Sequence, residues 1–217
     1  MSLKLVVFDL DGTLVNSLQD LAESANLAVE QCGYEGRSLD EVKSFVGNGV
    51  RLLIKRALPN DTADDVVEQC LHAFKQIYEK RKLINTKPYQ GVEHMLTSLH
   101  QHGILTAVLS NKYMLAVNQI TDSLFPSLID FSVGECEKVP RKPDPSGLND
   151  IIAKYSLRPD DVAMVGDSDV DVLTAKNAGV CAIGVTWGFR NREVLSDNGA
   201  EFIVDTVCQL ESLLLEL

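Results

Sequence analysis

Six short apolar runs constrain the fold more than any other feature of the chain: KLVVF (4–8), ILTAVLS (104–110), DFSV (130–133), VAMVG (162–166), CAIGV (181–185) and EFIV (201–204). Each is nearly continuous in hydrophobicity instead of alternating, the pattern of strands covered on both faces. Helical patterns separate them. In GVEHMLTSLHQHG, Val92, Met95, Leu96 and Leu99 share one face and Gly103 supplies a stop. In DPSGLNDIIAKYSL, Asp144 is placed to N-cap a helix with Pro145 at its first position. Strand–helix–strand alternation predicts an α/β fold, an open parallel sheet with helices on both faces.

One interval breaks this rhythm. Between the first run and residue 104 no second strand pattern occurs; residues 18–32, 39–46, 50–58 and 63–83 instead read as helices. Gly33 ends the first, and Asp61 or Thr62 is placed to cap the last. Ordinary crossovers between strands are much shorter. The expectation is an α-helical domain at 17–85, inserted into a core made of residues 1–16 and 86–217. LVNS (14–17) and NTKPYQG (85–91) would join the two.

Charge and cysteine usage narrow the function classes. The formal net charge is −11, which argues against a nucleic-acid partner, since such proteins present a basic face. No apolar stretch reaches the roughly 18 residues of a membrane span, and the N-terminus lacks a signal-peptide pattern. Cys32, Cys70, Cys136, Cys181 and Cys208 are odd in number, far apart and form no CxxC. They read as buried free thiols of a soluble cytoplasmic protein, monomer or homodimer. His72, His94, His100 and His102 show no metal-ligand spacing and read as surface residues.

In a parallel α/β sheet, ligands bind beyond the carboxyl ends of the strands. Strand one ends in Asp9-Leu10-Asp11-Gly12-Thr13, the next in Ser110-Asn111, and VAMVG runs into Asp167-Ser168-Asp169-Val170-Asp171; Lys142 lies in RKPDP, before a helix. Taken singly, a strand-end Asp is a turn former, Ser-Asn a loop opening and a lysine a solvated charge. Their joint occurrence at one sheet edge points to chemistry. Asp9, Asp11 and Asp167 repel one another unless a cation joins them, and oxygen-only ligands suit magnesium, which also binds phosphate oxygens. Ser110, the Asn111 backbone amide and Lys142 then complement the remaining oxygens of a phosphoryl group. Gly12 lets the backbone approach closely and Thr13 adds a donor. The expectation is a metal–phosphate site.

With DLDGTL, LSN, KPDP and GDSDVD in this order, the chain resembles the haloacid dehalogenase superfamily of phosphatases, specifically its phosphoglycolate-phosphatase-like members. The resemblance implies a Rossmann-like core with a helical cap at 17–85, and a Mg²⁺-dependent phosphatase of a small phosphate monoester. It implies that Asp9 is the nucleophile, forming an aspartyl-phosphate, and that Asp11 is the general acid and base. Magnesium would be held by the side chains of Asp9 and Asp167 and the backbone carbonyl of Asp11. Asp171 would position Lys142 or a metal-bound water. Dehalogenases of the superfamily lack an acid at position 11, which disfavours that activity.

Specificity falls to the inserted helices. FVGNGVRLLIKRAL (45–58) resembles the cap loop of phosphoglycolate phosphatases, where Gly47, Asn48 and Gly49 would bend toward the site and Arg51 would meet an anion. An ordinary turn with a surface arginine is the plain reading. In VTWGFRNREVL (185–195), Trp187 and Arg190 fall near the same edge, with an anchored loop as the plain alternative. Open alternatives are a phosphatase of pyrophosphate, a nucleotide or a sugar phosphate, and a β-phosphoglucomutase-like phosphotransferase, which the Gly47–Gly49 segment fits poorly. A phospho-receiver signalling domain is disfavoured by the helical insert.

Overall fold

The computed structural model describes residues 3–137 and 139–217. Six parallel strands form the main sheet: β1 (Leu5–Phe8), β4 (Leu105–Tyr113), β5 (Phe131–Glu135), β6 (Val162–Gly166), β7 (Cys181–Val185) and β8 (Phe202–Val204). Their spatial order is β5-β4-β1-β6-β7-β8. From β1 the chain visits β4 and β5 on one side, then returns to β6, β7 and β8 on the other. That reversal opens a crevice at the carboxyl end of β1, the place where such sheets bind ligands.

Burial on both faces explains the continuous apolar runs of the four central strands, β4, β1, β6 and β7. Val6 and Phe8 pack with Val92, Met95, Leu96 and Leu99 of α5 (Val92–Gln101) and with Leu210 and Leu214 of α10 (Val207–Glu216). Leu5 and Val7 point the other way, onto Leu148 and Ile151 of α7 (Ser146–Lys154) and Val172 and Ala175 of α8 (Asp169–Ala178). Two further helices, α6 (Met114–Leu124) and α9 (Arg192–Asp197), complete these layers.

Residues 18–81 carry four helices, α1 (Leu18–Gln31), α2 (Leu39–Phe45), α3 (Val50–Ala57) and α4 (Asp64–Arg81). They share an apolar cluster of their own, built from Ala25, Val29, Val42, Leu53, Ile54, Val67 and the stacked Phe74 and Tyr78. This cluster meets the sheet layer through Ala116, Tyr113 and Phe189. Among the described residues no helix is long and apolar enough to cross a membrane.

The structure departs from the sequence expectations in five places. The connections flanking the helices are not plain linkers: β2 (Val15–Asn16) and β3 (Lys87–Pro88) pair antiparallel, two residues each, too short to leave a period-2 signal. Neither Asp61 nor Thr62 caps α4. Ala63 stands at the N-cap without a side-chain bond, and the Thr62 hydroxyl donates to the Pro59 carbonyl instead. Helix α7 begins at Ser146, one residue after Pro145, although Asp144 does accept from the Ser146 amide. Strand β4 continues past residue 110 to Tyr113, through a register shift that pairs Tyr113 with Glu135. Of the five free cysteines only Cys70 is buried, while Cys136 and Cys208 are exposed.

Candidate active site

The loop after β1 winds round one carbonyl. The Leu10 oxygen accepts from the amides of Thr13, Leu14 and Val15, while the Leu10 side chain is fully buried. This turn sends Asp9 and Asp11 to the crevice. Gly12 completes it at φ +88°, and any side chain there would overlap the carboxylate of Asp167. Glycine is therefore required twice over, by the backbone angle and by the close approach.

Asp167 follows β6. Its Oδ1 accepts from Thr13 Oγ1 at 3.2 Å and its Oδ2 from the Phe189 amide at 2.7 Å. Asp171 lies one turn into α8, where its Oδ2 accepts from the Ser168 amide (3.1 Å) and hydroxyl (2.6 Å) in a capping box. Its Oδ1 accepts from Lys142 Nζ at 2.6 Å. Lys142 Nζ also pairs with Asp9 Oδ1 at 2.9 Å. Asp171 thus bonds the lysine that the sequence expected it to position.

Buried charge of this kind survives only when paired or bound by a cation. Burial pushes Asp167 up to about 8, with the charges of Asp171 and Asp9 adding to the effect. Burial also raises Asp9 to about 6, against the pull of Lys142. Lys142 rises above the usual lysine range, because Asp171 and Asp9 outweigh its burial. Asp9, Asp167 and Asp171 each offer one oxygen, all within 4.8 Å of one another. Asp9 Oδ1 is buried and accepts no well-directed hydrogen bond. An all-oxygen set with an under-satisfied carboxylate fits a hard divalent cation.

Asp11 has other partners. Its Oδ1 accepts from Ser17 Oγ (2.5 Å) and Lys112 Nζ (2.9 Å), and its Oδ2 accepts from Lys112 Nζ at 2.7 Å. Lys112 is 4% exposed. Sequence reasoning passed over it because the apolar run ends at residue 110. The available signal was its position two residues beyond Ser110, at the same end of the strand.

Asn111 does more than present an amide. Its side chain donates to the carbonyls of Gly47 (3.0 Å) and Lys142 (3.1 Å) and accepts from the Lys142 amide at 2.8 Å. It therefore ties β4, the Lys142 loop and the α2–α3 loop together. Trp187 donates from its indole nitrogen to the Thr13 carbonyl at 3.0 Å, bracing the turn.

Above these groups lies a cavity that is partly open to solvent. Asp9, Asp11, Ser110, Asn111, Lys112 and Asp167 form its polar floor, and Gly47 and Gly49 reach it from the helices. The other two candidates of that loop do not. Asn48 accepts from Arg56, and Arg51 donates to Glu68 at 2.6 Å and Asp64 at 3.3 Å, on α4. The physical reason is helical phase. Val50, Leu53, Ile54 and Ala57 occupy the buried face of α3, which turns Arg51 and Lys55 outward to the acids of α4. Arg190 does line the cavity, yet its guanidinium is occupied by the carbonyls of Lys43, Ser44 and Val46.

Residues 6–185 match the family of haloacid dehalogenase-like hydrolases. The phosphoglycolate phosphatase of Vibrio parahaemolyticus is 34% identical over 96% of this chain and 94% of its own length. The solved structure of a candidate phosphoglycolate phosphatase from Lactobacillus delbrueckii subsp. bulgaricus superposes with a TM-score of 0.95 at 32% identity, covering 100% of both chains. A second such candidate, from Haemophilus somnus, gives 0.92 at 28% identity over 98% of both.

Proposed function

The chain belongs to the haloacid dehalogenase-like hydrolases and is a phosphatase, and we propose that it hydrolyses 2-phosphoglycolate in a magnesium-dependent reaction through an aspartyl-phosphate. The observation that carries this reading is the buried cluster of Asp9, Asp167 and Asp171 around Lys142 beneath the cavity. Asp9 and Asp167, with the Asp11 carbonyl, would hold Mg²⁺, which supplies charge neutralisation for the phosphoryl oxygens and the acids, while Asp171 keeps its bond to Lys142.

In this reading an Asp9 oxygen attacks phosphorus as the ester P–O bond breaks. Asp11 gives its proton to the departing alkoxide. Water then attacks phosphorus of the acyl phosphate, Asp11 takes the water's proton, and inorganic phosphate leaves as Asp9 is regenerated. Lys142 offsets the negative charge at Asp9 and is held by Asp171. Ser110 and the Asn111 amide orient the phosphoryl group, while the Thr13 hydroxyl, expected to do the same, is turned to Asp167. Residues 17–85 serve as a cap over a core of 1–16 and 86–217, and its Leu21, Val46, Val50 and Leu53 keep bulk solvent off the site, leaving the attacking water to Asp11.

The choice of 2-phosphoglycolate is supported by the names of the relatives. The test is the purified protein with Mg²⁺ against 2-phosphoglycolate, pyrophosphate, a nucleotide, a hexose phosphate and p-nitrophenyl phosphate. The highest kcat/KM is expected for 2-phosphoglycolate. A preference for pyrophosphate or the hexose phosphate would replace that substrate while leaving the phosphatase chemistry in place.

A further inference from the structure

Lys112 has no part in the reaction as written, and its surroundings define one. It is buried, its ammonium bonds both oxygens of Asp11, and it lies 4.8 Å from the centroid of the Tyr78 ring. Tyr78 belongs to α4 and is itself fully buried, so the aromatic face is a fixed surface in the helical layer. Ser17, the residue before α1, holds Asp11 Oδ1 from further along the same segment. A carboxylate that makes only one contact turns freely about its side-chain bonds. This one is gripped from β4, from the start of the helical insert and, through Lys112, by the packing of α4.

We propose that Lys112 is a positioning residue: seated on Tyr78, it fixes the direction of the Asp11 carboxylate so that Oδ2, which has fewer partners than Oδ1, faces the leaving oxygen. The inference rests on Asp11 being the acid and base of the proposed reaction. It differs from a role for Lys112 as a receptor for a substrate carboxylate, because the cation would act through Asp11 and not on the substrate. The placement also makes the acid's orientation depend on the seating of the helical layer, since Tyr78 and Ser17 both come from the insert and its connection. Proton transfer is steep in geometry: positioned acid–base groups contribute roughly 10²- to 10⁴-fold, and misplacement by about 1 Å costs on the order of 10²-fold.

The experiment uses Lys112→Met, Asp11→Asn and the double variant on three substrates. 2-Phosphoglycolate and glycerol 2-phosphate have alkoxide leaving groups that need a proton, and only the first carries a carboxylate. p-Nitrophenyl phosphate expels a stable phenolate that needs none. The parameter is kcat/KM, which reports steps only through departure of the leaving group. Lys112→Met is expected to lower it by roughly tenfold to a hundredfold on both alkyl esters and by less than about threefold on the aryl ester. In the Asp11→Asn background the same substitution should cost nothing further. With p-nitrophenyl phosphate, Lys112→Met should also give a burst of nitrophenol stoichiometric with enzyme, because water activation by Asp11 is slowed after the phenolate has gone.

Loss confined to 2-phosphoglycolate would overturn the proposal and make Lys112 a carboxylate receptor. Equal loss on all three esters, or losses that multiply with Asp11→Asn, would reduce Lys112 to a structural ion pair. If Asp11→Asn itself shows no dependence on the leaving group, the acid role of Asp11 fails, and this inference fails with it. Should Lys112→Met not fold, Lys112→Arg keeps the charge but displaces the donor. It should reproduce the leaving-group pattern, and wild-type rates from it would overturn the proposal.

Discussion

The floor and the roof of the cavity are built on opposite principles. On the sheet side, Asp9, Asp11, Asp167, Asp171, Lys112 and Lys142 are charged side chains of which all but Asp11 are buried, each engaged by another of the set or by a backbone amide. On the helical side the wall is Leu21, Val46, Gly47, Gly49, Val50 and Leu53, with no ionisable group. The charges of that layer point away, as in the Arg51 pairs with Asp64 and Glu68 and the pair of Arg81 with Glu23. A strand end projects consecutive loop residues into the crevice whatever their polarity. An amphipathic helix instead turns its apolar stripe inward and its charges to solvent. Charge is therefore concentrated below, while the layer above presents an apolar wall.

This contrast is broken most severely at Asp9. Asp9→Asn keeps the shape and removes the attacking charge, so phosphatase activity should fall by at least about a thousandfold, since uncatalysed phosphate-ester hydrolysis is among the slowest reactions known. Circular dichroism and melting should show the fold intact. Activity near the wild-type level would remove Asp9 from the reaction.

Metal removal tests the same floor by another route. EDTA should abolish turnover and Mg²⁺ restore it, with Ca²⁺ a poor substitute because it favours more ligands and a looser geometry. Stability carries a matching signature. Asp167 is raised from 3.8 to about 8 and Asp9 to about 6, both through burial first. A carboxyl whose folded pKa is raised stabilises the fold while protonated, and that contribution is lost as pH rises through the raised value. The metal-free protein should therefore melt at progressively lower temperature from about pH 4 to pH 8, and Mg²⁺ should flatten the slope. A metal-free melting temperature that rises across that window would contradict the buried acid cluster.

The junction between the two layers should give a smaller effect. Arg190, in the segment after β7, donates to the carbonyls of Lys43 (3.1 Å), Ser44 (3.4 Å) and Val46 (2.7 Å) and so fastens the sheet side to the end of α2. Arg190→Ala should raise KM by roughly threefold to tenfold with a lesser change in kcat, as expected when closure and not chemistry is weakened. Amide exchange over residues 43–49 should quicken. Lys43→Ala and Ser44→Ala serve as controls, because their backbone acceptors survive substitution. Unchanged exchange in Arg190→Ala would show that Asn111 alone secures the loop.

Least should happen at Arg51. The cap-loop resemblance offered it to an anion, with a surface arginine as the plain reading, and it is bound on the outside to Asp64 and Glu68. Exposed pairs contribute little, so Arg51→Ala should alter kcat/KM for 2-phosphoglycolate by less than about twofold. A tenfold loss confined to the carboxylate-bearing substrate would mean that α3 turns toward the cavity during the reaction.

Much of this molecule was legible before any coordinates. Continuous apolar runs mark doubly covered strands, and the chain's strand-end acids are local facts of sequence: Asp9 and Asp11 follow β1, and Asp167 and Asp171 follow β6, wherever the sheet lies. The length without strand signals between 9 and 104 likewise announced the inserted helices. Tertiary structure decided what depends on neighbours distant in sequence. Lys112 became a partner of Asp11 because β4 runs on to Tyr113 beside β5, and Asn111 became a tie because two other loops bring carbonyls to it. The phase of α3 turned Arg51 outward, and Arg190 was spent on the end of α2. Side-chain type and local period are written along the chain, but the direction of a long charged side chain is settled by which countercharge or carbonyl the packed elements bring within about 3 Å, the reach of a hydrogen bond.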